Sequence, residues 1–103
     1  MLLDIDVGRN TDAVVVRLAG QLDVSGTARL SERVEPHLTP GQTVIVDLSG
    51  LSFIDSAGLA VLVTLHNTAR ISGGRFWVEG ARGEVSMILE LTGVVEILAP
   101  PGG

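Results

Sequence analysis

The chain has no cysteine, and its two histidines, His37 and His66, lack any ligand spacing, so neither a disulfide framework nor a metal centre is written into it. No metal and no cofactor are expected. Lysine is missing too. All seven basic residues are arginines, dispersed at Arg9, Arg17, Arg29, Arg33, Arg70, Arg75 and Arg82, and with 12 acids they leave a net charge of −5. Nucleic-acid binding needs a concentrated positive face, which this distribution does not supply. The three aromatics, Phe53, Phe76 and Trp77, have no basic surround and read as packing rather than a base-stacking platform. The opening Met1-Leu2-Leu3-Asp4-Ile5-Asp6 has no basic leader pattern, and the apolar segments stop well short of the ~18 residues of a membrane span. A cytoplasmic protein without membrane contact is the expectation. What remains is apolar material: 46% of 103 residues are hydrophobic and 18% charged, enough for the core of one compact domain.

The chain is organised around residues 43 to 65, which read as a buried strand, a polar loop and an apolar helix. Val44-Ile45-Val46-Asp47-Leu48 is short, rich in β-branched residues and bounded by Pro40-Gly41 and Ser49-Gly50, the pattern of a central strand. Leu51, Phe53 and Ile54 tie the loop to the core. A helix should start at about residue 56, with Asp55 or Ser56 as the N-cap that accepts from one of its orphan N–H groups. Gly58 then marks a place where the first turn presses against a neighbour. Ser56 has a further property. It is a hydroxyl at the positive end of a helix macrodipole, where a phosphate carrying roughly −1.5 to −2 charges is tolerated by the fold.

Around this unit, residues 2 to 7 alternate as an edge strand, and Ala13 to Ala19 form a second strand paired with it as a hairpin closed by Gly20. Ser25 is the expected cap of a first helix with a Leu30, Val34, Leu38 stripe, Glu32 and Glu35 facing out, and a kink or early end imposed by Pro36. The helix from residue 56 carries Leu59, Leu62, Val63, His66 and Ala69 on one face, with Val61 and Leu65 to its side, and stops at Ser72-Gly73-Gly74. His66 reads as packed and hydrogen-bonded, His37 as a surface or capping residue. Residues 75 to 80 form a strand. Ala81 to Leu91 form a third helix with Val85, Ile88, Leu89 and Met87 inwards, and residues 94 to 98 a last strand before a tail without means of packing. The fold class is α/β, a mixed sheet of four to five strands packed with about three main helices.

Asp47-Leu48-Ser49 followed by Phe53-Ile54-Asp55-Ser56-Ala57-Gly58-Leu59 resembles the signature of the anti-sigma factor antagonists, the single-domain bacterial members of the STAS family. Gly20-Gln21-Leu22-Asp23 stands where that family carries a Gly-x-Leu-Asp element. The resemblance implies a STAS domain over residues 1–99 with a short tail at 100–103. It implies phosphorylation at Ser56 and a partner-binding surface of Asp23, Asp55, Ser56, Ala57 and Gly58. It further implies that the unphosphorylated form binds an anti-sigma factor that is itself a serine kinase, releasing a sigma factor, and that a phosphatase resets the modified form. The family often has a second hydroxyl residue at the position of Ala57, so here Ser56 alone can take the phosphate in this loop.

Two other readings compete. As an enzyme, Ser56 would be a nucleophile with His37 or His66 as base. Against this, the motif is not Gly-x-Ser-x-Gly, and His66 lies ten residues further along one helix, roughly 15 Å away. As a scaffold, the domain would bind proteins, or a nucleotide, without a phosphorylation cycle. Such a scaffold should tolerate both Ser56→Asp and Ser56→Ala.

Overall fold

The computed structural model describes residues 2–102. Four strands form one mixed sheet in the order of the chain: β1 (Leu3–Arg9), β2 (Val14–Leu22), β3 (Thr43–Ile54) and β4 (Arg75–Glu79). The hairpin β1–β2 is antiparallel, and the β2–β3 and β3–β4 pairs are parallel, as helical crossovers require. Four helices complete the structure: α1 (Val24–Val34), α2 (Ser56–Ile71), α3 (Gly83–Leu91) and α4 (Val94–Leu98). They cover one face of the sheet. Alternate strand residues, Val14, Val16, Leu18 and Leu22 with Val44, Val46, Leu48, Phe76 and Val78, share a core with Leu30, Val34, Leu62, Leu65, Val85, Leu89 and Leu98. On the other face Asp6, Arg17, Asp47 and Glu79 line up across the four strands. The Asp6–Arg17 pair there, 3.7 Å apart and well exposed, contributes little to stability.

The expected polar loop after Leu48 is strand. Composition misleads at this point, because Ser49, Gly50 and Ser52 serve two bulges instead of a turn. The pairing slips between Arg17/Ala19 and between Gly20/Gln21, so β3 accommodates two more residues than β2 over the same span. Asp47 Oδ1 accepts from Ser49 N at 2.9 Å, which holds its carboxyl below the usual aspartate range, and Ser52 Oγ donates to Gly20 O at 3.0 Å. A Cβ on Gly50 would stand 2.9 Å from Leu18 O, so only glycine fits the first bulge. Strand β2 likewise runs through Gly20 to Leu22. Phe53, expected in the core, is 40% exposed, while Leu51 and Ile54 are buried.

Residues 94 to 98 form helix rather than strand. Gly93, at φ 76°, turns the chain, and the 94, 95, 98 spacing lays one side of a short helix on α2 and α3 with Leu98 fully buried. The sheet therefore has four strands. Asp23, not Ser25, caps α1. That helix ends at Val34, and Pro36 is accommodated in one 3-10 turn, Glu35–His37, before buried Leu38. Leu65 lies on the buried face of α2, and Leu59 and Val63 are half-buried. Helix α3 starts two residues late because Gly80 and Gly83 both have positive φ, and Met87 points to solvent. The segment after Leu98 does pack: Ala99 and Pro101 border a groove with Trp77, and Pro100 is half-buried.

Candidate functional site

Strands β2 and β3 are the central pair, and they end in register, Leu22 opposite Ile54. The next residue of each is an aspartate that caps the following helix. Asp23 Oδ1 accepts from Ser25 N at 2.9 Å and from Ser25 Oγ at 2.5 Å, and Asp55 Oδ1 accepts from Gly58 N at 2.9 Å. Both have extended backbone, with φ −127° and −110°, as an N-cap requires. Asp55 N donates to Leu22 O at 3.3 Å and stitches the two strand ends together. The N-termini of α1 and α2 therefore open side by side at the carboxyl edge of the sheet, a place where the amide groups and dipoles of both helices favour an anion.

Ser56 is the first residue of α2 and is exposed. The neighbouring hydroxyls are committed elsewhere, Ser25 to Asp23 and Ser52 to Gly20 O. Ala57 is half-buried and borders a shallow groove between α1 and α2 with Thr27, Ala28 and Ser31. Gly58 is buried against the end of β2: a Cβ there would meet Leu22 O at 2.6 Å and Ile54 Cγ1 at 2.8 Å. The five residues singled out from sequence, Asp23, Asp55, Ser56, Ala57 and Gly58, are thus brought to one edge. The capping aspartates set its geometry, and Gly58 sets how closely α2 can approach β2.

Two apolar neighbours escaped the sequence reading. Val24, the first residue of α1, is 73% exposed, and Phe53, two residues before Asp55, presents its ring to solvent. Phe53 pairs with Gln21 on the side of the sheet away from the helices. Its outward direction keeps the alternation set by buried Val44, Val46 and Leu48, because the two bulges of β3 cancel by Ile54.

The Ser25 hydroxyl, then the Ser25 N–H, hold the Asp23 carboxyl below its ordinary value of 3.8. A depressed folded-state value means that this cap contributes its stability above pH 3.8 and loses it as pH falls through the lower folded value. Amide signals of the first turn of α1 should therefore titrate below pH 3.8, and Asp23→Asn should remove that titration; an Asp23 midpoint at or above 3.8 by NMR would contradict the capping geometry.

His66 is not near Ser56. Its Nδ1–H donates to Phe76 O at 3.0 Å, and its ring packs edge-on to Phe76 with centroids 6.5 Å apart. Ten residues of α2 separate it from Ser56, about 15 Å along the axis. His37 lies in the turn beyond the far end of α1. No nucleophile–base pair is assembled with either. Among the described residues, no group of three or more histidine, aspartate and glutamate side chains could hold a metal ion, and no helix is long and apolar enough to cross a membrane.

A family model described as "Mlab, STAS domain" matches residues 5–99. The anti-sigma-B factor antagonist of Bacillus subtilis (strain 168) is 28% identical over 98 residues, spanning 95% of this chain and 90% of that relative. An anti-sigma factor antagonist from Mycobacterium paratuberculosis, known from a crystal structure, superposes with a TM-score of 0.82 at 23% identity, over 95% of this chain and 84% of that one. The Bacillus cell fate determinant SpoIIAA, solved in its phosphorylated form, superposes with a TM-score of 0.69 at 19% identity, over 90% and 86% of the two chains. At such identities the structural likeness shows a shared fold.

Proposed function

The chain belongs to the STAS domain family, and from that premise we propose that it is an anti-sigma factor antagonist, a cytoplasmic binding switch rather than an enzyme. The unmodified form binds an anti-sigma factor and so frees a sigma factor for transcription. The same partner, acting as a serine kinase, phosphorylates Ser56 and ends the interaction, and a phosphatase restores it. The observation that carries this reading is the exposed Ser56 hydroxyl at the head of α2, set beside two capping carboxylates. The relatives' names support the antagonist role, and the phosphorylated form of SpoIIAA supports the modification.

Physically, the switch works because the fold and the interface respond differently to one phosphate. At the head of α2 the added charge meets free amide dipoles, so the fold is preserved. At an interface, the same charge beside Asp55 and Asp23 must be stripped of water and held near like charges. Incubation with the cognate anti-sigma factor and magnesium-ATP should place one phosphate on Ser56, found by peptide mapping, and none on a Ser56→Ala variant. A phosphate on another residue would remove Ser56 from this role.

The apolar neighbours of the two caps fit the centre of such an interface. Phe53→Ala should weaken partner binding by about tenfold, the loss typical of an aromatic contact in an interface, with only a small change in melting temperature. Equal affinity of the variant by calorimetry would put Phe53 outside the interface.

A further inference from the structure

At the far end of α2 from Ser56, a groove of about 550 Å³ follows the outer edge of β4. Its walls include Arg70, Arg75, His66, Phe76, Trp77 and Ile97. The volume lies within the range of small-molecule sites, about 300–1,000 Å³. The chain has 12 acids and a net charge of −5, yet none of the residues lining this groove is acidic. Two of its seven arginines line the groove beside three large apolar side chains, and Arg75 and Trp77 also border a second hollow with Asp12.

The arginines are also held on a rigid support. Arg70 stands in the last turn of α2 and Arg75 opens β4, joined by a turn with Gly73 at φ 81°. Gly41 N donates to Gly73 O and Arg75 N to Gln42 O, each at 2.9 Å, and a Cβ on Gly74 would stand 2.7 Å from Thr39 O. This tight packing fixes the spacing of the two backbones that carry the guanidinium groups. The His66 bond to Phe76 O satisfies a β4 carbonyl at the groove wall and orients the ring, leaving Nε2 as its free nitrogen. Ile97, 45% exposed on α4, supplies apolar surface that no element of the described chain covers fully.

We propose that this groove binds a small amphipathic organic anion, its carboxylate between Arg70 and Arg75 and its apolar body against Phe76, Trp77 and Ile97. Planar guanidinium forks match a carboxylate, and the Glu79 carboxylate beside the wall is already engaged, accepting from Trp77 Nε1 at 3.0 Å. Trp77 is the only tryptophan of the chain, so its emission reports occupancy directly.

Octanoate and its neutral isostere octanamide test the assignment on the full chain by titration of Trp77 fluorescence. Octanoate should give a saturable change at concentrations at least about tenfold below octanamide, the discrimination expected of one charge-assisted bidentate pair. The double variant Arg70→Gln with Arg75→Gln should abolish the difference while keeping the wild-type circular dichroism spectrum. Equal responses to the two probes in the wild-type chain, or no saturable response to octanoate, overturn the proposal, and neither result depends on the variant folding.

Discussion

Ser56→Asp is expected to weaken binding to the anti-sigma factor by a factor of about 100, while Ser56→Ala binds as the unmodified chain does and resists inactivation. The cause is electrostatic. Residue 56 opens α2 next to Asp55, and Asp23 caps the helix alongside, so a third carboxylate must be desolvated among two others when a partner closes over the edge. An interfacial cost of only about 3 kcal/mol corresponds to that factor. The fold itself should not suffer, because an acid in the first turn of a helix is favoured by the dipole. Thermal unfolding of Ser56→Asp within a degree or two of wild type, combined with the lost affinity, separates a switch from a damaged protein. A scaffold without a phosphorylation cycle would keep its partners in both variants.

Gly58→Ala should be strongly destabilising for a single methyl group. Helix propensity alone favours alanine over glycine by up to about 1 kcal/mol. Packing opposes it: the new Cβ would stand 2.6 Å from Leu22 O, a backbone atom of the central sheet, and 2.8 and 2.9 Å from Ile54 Cγ1 and Leu22 Cγ. Leu22 and Ile54 are both buried and cannot swing away, so α2 must lift from β2. Overpacking of this kind costs about 1–3 kcal/mol and the contact with backbone puts Gly58 at the upper end, so packing wins. A melting temperature lower by about 5–15 °C follows for a chain of this size. Lifting α2 also separates the two caps, so partner affinity should fall together with stability. An unchanged melting temperature would mean that the first turn of α2 is not held as closely to β2 as described.

Much of this was legible in the sequence because the strongest signals are local. The β-branched run 44–48, a cap at Asp55 or Ser56 and the small residue at 58 together point to a strand–loop–helix unit, in which the structure makes Asp55 the cap. The parallel partner unit, β2–Asp23–α1, was readable in outline, but its cap, expected at Ser25, is Asp23. The errors arise where tertiary pairing overrides composition. Ser49, Gly50 and Ser52 are turn residues by type, yet the neighbouring strand recruits them into bulges that turn Leu51 inwards and leave Phe53 facing out. Val94 to Leu98 is β-branched and short, but Gly93 and the available surface on α2 and α3 make it a helix. Neither pairing register nor the space left by other elements is visible in a window of ten residues. The groove along β4 was equally hidden, since its two arginines come from a helix end and an edge strand and are brought to one groove only by the turn between them.

One phosphate on Ser56 is expected to control partner binding without altering the fold. The direct measurement is calorimetric titration of the anti-sigma factor with the unmodified chain and with the chain phosphorylated only at Ser56, alongside thermal unfolding of both. The expected result is binding by the first, a loss of about 100-fold or more for the second, and nearly equal melting temperatures. Equal affinity of the two forms would contradict it outright, and a phosphorylated chain that has lost its fold would show that Ser56 supports the structure rather than the switch.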